Sequence, residues 1–333
     1  MKQDNKFTPS REEYESSLKS IHDKFSRVMD ELDSASQYQN GVTQYAVNGK
    51  QFMPVGASVK VIPAGWYKFT FNGRTYVPEI QDVRNDELVK LPMPEYDAVL
   101  NDVDKFRGSE QDYRKYKFPY KRGILLFGRP GTGKSGLIRL LGDDLIKREN
   151  GVLFNLQSPD DIYAFESIFS LFREIEPNRP CYCVIEDVDN FVRYGGGVTA
   201  KLLNVLDGNM AYDNILFIAT TNYPEALIES IANRPSRFDR RYEISTPSPE
   251  ARKVYIQSKF KDMSVDEVDK IVSMTDNFTI DMLKEVVVSY KVLRYSLEES
   301  VKTVSGLFKF GTKLGDSVIL DSTREFIDNE LKR

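Results

Sequence analysis

The run Gly128-Arg129-Pro130-Gly131-Thr132-Gly133-Lys134-Ser135 satisfies G-x-x-x-x-G-K-[ST] in full. It follows a short apolar run at 124–127 and opens a helical stretch, the context that a phosphate-binding loop requires. Its glycines let backbone N–H groups turn inward around phosphate oxygens, and a helix N-terminus adds positive potential. In such a loop Lys134 reaches the β- and γ-phosphates of a nucleotide, and Ser135 offers its hydroxyl to Mg²⁺.

Three further segments carry polar groups at places where a phosphate site needs them. The apolar run 181–185 ends in Glu186 and Asp187. Ligands bind at the C-terminal edge of a parallel sheet, so these acids are placed for work. One acid can hold Mg²⁺ while the other orients or deprotonates an attacking water. Neighbouring residues on a strand face opposite ways, so the two roles are not interchangeable. A second apolar run at 215–219 leads to Thr220-Thr221-Asn222, where the amide can bond a γ-phosphate or the attacking water; taken alone, Asn222 reads as a turn residue before Tyr223-Pro224. The segment Arg234-Pro235-Ser236-Arg237-Phe238-Asp239-Arg240-Arg241 reads alone as a solvated basic loop. Beside a phosphate loop it can supply arginine fingers.

The inventory excludes other chemistries. One histidine, His22, and two cysteines, Cys181 and Cys183, cannot build a Cys/His zinc site or a triad around a central histidine. His22 reads as a solvated or packing residue. The cysteines, two apart on one strand, share a face and read as buried free thiols in a reducing compartment. The net charge of −4 argues against a polyanion binder as a whole. The polar N-terminus has no signal core, and no window approaches 18 continuous apolar residues. A soluble cytoplasmic protein without a membrane partner is the expectation.

These residues need elements to hold them. Short apolar runs at 124–127, 152–156, 182–185 and 215–219 alternate with helical stretches at 134–148, 160–175 and 198–206. That alternation predicts an α/β fold with a parallel sheet and right-handed crossovers. Helices at 248–261, 264–273, 279–294, 296–308 and 321–332 predict a C-terminal helical lid and tail over 248–333. At the other end, Tyr14, Leu18, Ile21, Phe25, Val28 and Leu32 form a heptad-like seam over a helix at 11–33, for packing or for a partner. Residues 59–62 and 66–71 read as strands, and Asn72-Gly73 as a type I′ hairpin turn. The organisation expected is an N-terminal helix plus small β-rich module at 1–92, a linker at 93–121, the core at 122–247, and the lid. Within the linker, Arg114, Lys115, Lys117, Lys121 and Arg122 interleave with Tyr116, Phe118 and Tyr120. A solvated linker is the ordinary reading, and nucleic-acid contact the sharper one.

Taken together, the four segments in this order resemble the AAA family of ATPases, whose pattern is Walker A, Walker B, a sensor-1 asparagine and a paired-arginine segment. The resemblance covers about residues 115–310. Within the family the likeness is to the mitochondrial respiratory-complex assembly chaperones and their bacterial and phage relatives. It rests on Tyr120-Lys121-Arg122-Gly123, Glu186-Asp187-Val188-Asp189 and Leu202-Leu203-Asn204-Val205-Leu206-Asp207-Gly208.

The resemblance implies a P-loop NTPase core that binds ATP and Mg²⁺ and hydrolyses ATP. It implies Glu186 at the metal position and Asp187 at the catalytic one, the reverse of the usual Asp-Glu order. It implies that Arg234 and Arg237 act on a neighbour's ATP in a ring, most often a hexamer. Residues 1–92 would then choose a protein client, in a bacterial or phage-infected host cytosol. Residues 157–163 show no match to an aromatic pore loop, while Tyr194-Gly195-Gly196-Gly197 could form a second pore-facing loop. Phe278-Thr279-Ile280-Asp281-Met282-Leu283-Lys284 offers no arginine at the sensor-2 place. Two alternatives stand beside this reading: an ATPase working on nucleic acid as a loader or replication factor, and an assembly switch with weak hydrolysis, since aspartate is a methylene shorter than glutamate.

Overall fold

The computed structural model describes residues 44–48, 51–55, 59–73, 75–83, 88–207, 213–227 and 237–306. The expected helices at 11–33 and 321–332, His22 and Arg234 lie outside the described residues. The chain divides into two units, 1–62 and 63–333. In the first, β1 (Gln44–Asn48) and β2 (Gln51–Val55) pair antiparallel, Gln44 opposite Val55 and Asn48 opposite Gln51.

In the second unit a seven-stranded sheet runs in the order β4-β3-β6-β7-β8-β5-β9. Its strands are β3 (Gly65–Phe71), β4 (Tyr76–Ile80), β5 (Lys121–Phe127), β6 (Val152–Leu156), β7 (Cys181–Ile185), β8 (Ile215–Thr221) and β9 (Arg240–Glu243). Every pairing is parallel except β3 with β4. This is the α/β architecture of a P-loop core. The central strands β6, β7 and β8 are buried along their whole length, as continuous apolar runs demand of a sheet covered on both faces.

The β3–β4 hairpin departs from the expected organisation. It belongs to the core sheet, with Gly65, Trp66 and Tyr67 pairing in parallel with Val152, Leu153 and Phe154. The side chains explain why. Trp66 lies over Gly142 so closely that a Cβ there would meet its ring at 2.3 Å. Phe69 stacks on Phe154 at 5.7 Å on the opposite face. Each face of β3 carries a buried aromatic, Trp66 on one and Tyr67 and Phe69 on the other, so the strand needs cover on both sides. The compact unit therefore starts at Pro63, inside the segment expected to form the N-terminal module.

The turn also shifts. Asn72 N–H donates to Thr75 O, and Gly73, at φ 88°, takes the left-handed position. Residues 59–62 form no strand; Val59 and Val61 are exposed, and Pro63 follows without a donor.

The expected linker is largely helical: α1 (Pro94–Arg107) and α2 (Glu110–Lys115). Pro94 opens α1 where its missing N–H costs nothing, and Tyr96, Val99, Val103 and Phe106 form its buried stripe. The core then contributes α3 (Lys134–Glu149), α4 (Asp161–Ile175), α5 (Val188–Tyr194) and α6 (Gly196–Asp207). The lid comprises α7 (Pro249–Lys259), α8 (Val265–Met274), α9 (Ile280–Val287) and a helical segment at 297–306. Ser248, Ser264 and Thr279 cap the first three with side-chain hydrogen bonds. The long helix expected at 279–294 is shorter, because Val288–Val292 winds into a π turn in which Leu293 N–H donates to Val288 O. Among the described residues, no helix is long and apolar enough to cross a membrane.

Candidate functional site

The phosphate loop leaves β5 at Phe127 and enters α3 at Lys134. Gly128, Gly131 and Gly133 hold φ values of 141°, 77° and 106°. Side chains would be excluded there on contact grounds too. A Cβ on Gly128 would stand 2.4 Å from Ile244 O, and one on Gly133 2.5 Å from Tyr96 Oη. Tyr96 Oη donates to Gly133 O at 2.8 Å and so braces the loop from α1. Burial raises the Tyr96 phenol well above its usual range, keeping it a donor. Thr132 is buried and donates to Arg129 O at 3.0 Å. Arg129 and Pro130 sit exposed at the crest.

Lys134 is buried, and its Nζ donates to Gly128 O, Arg129 O and Asn222 Oδ1 at 2.8, 3.0 and 2.7 Å. Burial drives its pKa down to about 8, while Asp187 and Asp281 pull it back up. The ammonium thus bridges the phosphate loop and the end of β8.

The two acids after β7 take different partners. Ser135 Oγ donates to Glu186 Oε2 at 2.5 Å. Asp187 instead accepts from Asn222 Nδ2 at 3.3 Å, and its own N–H donates to Thr220 Oγ1 at 3.0 Å. Asp187 holds φ 49°, a left-handed conformation that an L-residue keeps only where surroundings enforce it. The ends of β7 and β8 are tied further by Asp189. It is buried and accepts from Thr221 Oγ1 at 2.7 Å, and that hydroxyl accepts from Tyr223 N–H at 2.9 Å.

Ser135 and Glu186 supply hard oxygens side by side. Among the described residues, no group of three or more His, Cys, Asp or Glu is arranged to hold a metal. That donor set suits Mg²⁺, which takes one or two protein oxygens and fills its shell with phosphate and water. These residues fit the ion.

A cavity of about 440 Å³ joins these groups. Lys134, Ser135, Glu186, Asp187 and Asn222 line it together with the apolar Leu91, Tyr255 and Ile280. The lid closes over the loop directly: Ile280 N–H donates to Gly131 O at 2.9 Å.

Arg237 is brought to a different place. It is 5% exposed and pairs through two nitrogens with Asp207, at 2.7 and 2.8 Å. Its backbone runs against β5, where a Cβ on Gly123 would stand 1.9 Å from Arg237 O. The basic–aromatic cluster is also largely engaged. Arg114 pairs with Asp213 and Glu110, Lys121 donates to Leu206 O, and Arg122 pairs with Asp239. Tyr120 is core.

Sequence reasoning alone does not single out Tyr96, Thr220, Thr221 or Asp189 as parts of the site. The signal for Tyr96 is the apolar stripe behind Pro94. For Asp189 it is an acid on the first turn after two others.

Residues 124–246 match the ATPase family associated with various cellular activities (AAA). This segment is an AAA ATPase domain. The AAA domain contains the phosphate loop, both acids, Asn222 and the arginine segment. The chain is 31% identical over 174 residues to Protein SAV of Sulfolobus acidocaldarius, covering 47% of this chain and 22% of that one. It is 30% identical over 252 residues to the ATP-dependent zinc metalloprotease FtsH of Halothermothrix orenii, covering 69% and 36%. The Cell division cycle protein 48 homolog of Archaeoglobus fulgidus is 27% identical over 173 residues, covering 47% and 23%. The chain thus spans about a fifth to a third of the length of these curated relatives.

Proposed function

We propose that the protein is a Mg²⁺-dependent ATPase whose subunits form a ring and whose hydrolysis remodels a protein client. The observation that carries this reading is the linkage of Lys134, Asn222 and Asp187 beside the Ser135–Glu186 pair. Lys134 and the loop amides bind the phosphates. Ser135 and Glu186 would hold Mg²⁺, whose charge would offset that of the phosphates. Asp187 accepts a proton from, or orients, the attacking water. Asn222 is in contact with both Lys134 and Asp187, so it can register the γ-phosphate and the water together.

Arg237, released from Asp207, and Arg234 would complete a neighbour's site, and the residues before Pro63 would select the client. The kinship with respiratory-complex assembly chaperones belongs to this proposal as well. Engagement of Arg114, Lys121 and Arg122 by acids and a carbonyl favours a protein client over nucleic acid. The internal Arg237–Asp207 pair favours one second reading, an assembly switch with slow hydrolysis. Phosphate release measured across a protein-concentration series, with particle size recorded alongside, tests the proposal. Turnover per subunit should rise as the ring assembles. Turnover independent of assembly would overturn the ring-borne site, and assembly on ATP without turnover would establish the switch.

A further inference from the structure

The lid brings an acid to the phosphate loop. Asp281 follows Ile280 in the first turn of α9, and both N–H groups donate to Gly131 O, at 3.4 and 2.9 Å. Asp281 Oδ2 lies 2.8 Å from the place a Cβ on Gly131 would occupy, so the carboxylate rests against the loop itself. Of the lid residues that line the cavity, Tyr255, Lys259, Ile280, Asp281 and Lys284, it is the one acid. Among the described residues no hydrogen bond or ion pair occupies its carboxylate, and its charge is felt at Lys134 of the same cavity.

An acid in the first turn of a helix ordinarily answers the helix dipole. Here its position has a second consequence. Lys134 already spends its three N–H donors on Gly128 O, Arg129 O and Asn222 Oδ1, so a phosphate gains the ammonium only by replacing one of them. A carboxylate beside the loop adds to that cost, because it carries the same sign of charge as the phosphates and has no proton to offer them. We propose that Asp281 is an autoinhibitory lid residue, whose carboxylate, held against Gly131 when α9 is seated on the phosphate loop, repels nucleotide phosphates and weakens their binding. The inference rests on the nucleotide-binding reading of the loop. Because the Asp281 N–H is bonded to Gly131 O, the acid leaves the loop only when α9 does, so the brake belongs to the closed lid.

The side chain is exposed, so the repulsion acts partly through water and is screened by salt. At an intermediate effective dielectric, one pair of like charges about 6 Å apart weakens affinity about tenfold.

ADP separates binding from hydrolysis. Its dissociation constant is measured calorimetrically on the full chain at low and at high salt, with Asp281→Asn and Asp281→Glu beside the wild type. Asp281→Asn keeps the size and removes the charge, and should bind ADP about tenfold more tightly than the wild type at low salt. That gain should shrink at high salt. Asp281→Glu keeps the charge and should stay near the wild type. Affinity unchanged or weakened in Asp281→Asn would overturn the assignment. So would a gain that persists in full at high salt, or one that Asp281→Glu shares, since either would reflect repacking of α9 and not charge. A wild type and an asparagine variant that both fail to bind ADP would instead defeat the nucleotide-site reading itself.

Discussion

Lys134 Nζ lies 2.7 Å from Asn222 Oδ1, joining the phosphate loop after β5 to the end of β8. Asn222 in turn reaches Asp187 at 3.3 Å. One amide therefore connects the ammonium of the phosphate loop with the second acid after β7. Removing that amide should separate binding from chemistry. Asn222→Ala should lower kcat by about 10²–10³-fold, the usual loss for one preorganised polar group, while nucleotide affinity changes little. Single-turnover kinetics with a parallel binding titration measures the split. An equal loss in affinity and no loss in kcat would assign Asn222 to ground-state binding.

The buried ammonium makes nucleotide binding depend on pH. Burial lowers Lys134 from its ordinary 10.5 to about 8, and bound phosphates would restore the charge. Above about pH 8 the free site loses a proton that the bound site keeps. Affinity should therefore fall with rising pH there, and binding should take up protons. Calorimetry at pH 8.5 in two buffers of different ionisation heat reads the uptake. The sign for stability is opposite. The unfolded chain holds more protons between about 8 and 10.5, so the nucleotide-free fold gains stability as pH rises through that window.

Gly142→Ala tests the place of the β3–β4 hairpin. In an ordinary helix interior the change stabilises by about 1 kcal/mol. Here the new methyl would meet the Trp66 ring at 2.3 Å and Leu153 at 2.9 Å. Overpacking of this kind costs about 1–3 kcal/mol, so urea denaturation should show a less stable protein. A gain would mean that Trp66 does not lie on α3.

How far the sequence reveals the molecule depends on how local each feature is. The phosphate loop is legible because Gly128, Gly131 and Gly133 meet their requirement within one turn of chain, and its flanking strand and helix are contiguous. The acids are legible because a buried run leads straight to them. Tyr96 is not, because its hydroxyl meets Gly133 across a distance no periodicity encodes. The same holds for β3. Its alternation shows a strand, yet the choice of β6 as neighbour is made by Trp66 over Gly142 and Phe69 on Phe154. Arg237 reads as an exposed base, and only the fold brings Asp207 beneath it.

That pair carries its own prediction. Arg237 is almost fully buried, so Asp207→Ala leaves a charge without its bidentate partner. Breaking a buried pair from one side typically costs about 3–5 kcal/mol. Denaturant unfolding of the nucleotide-free protein should show a loss of that order. Replacing both residues together should cost less than the sum of the single changes. Strict additivity would show that the two groups do not act on each other.

The central claim is that Asp187 acts on the attacking water while Glu186 serves the metal. It is tested most directly by phosphate release from Mg·ATP in the wild type and Asp187→Asn, with ADP affinity measured on both. The amide keeps the size and the Asn222 contact but cannot take a proton. Turnover in Asp187→Asn should fall by at least about 10²-fold, with nucleotide affinity held within a few-fold. Equal turnover in the two proteins would contradict the assignment.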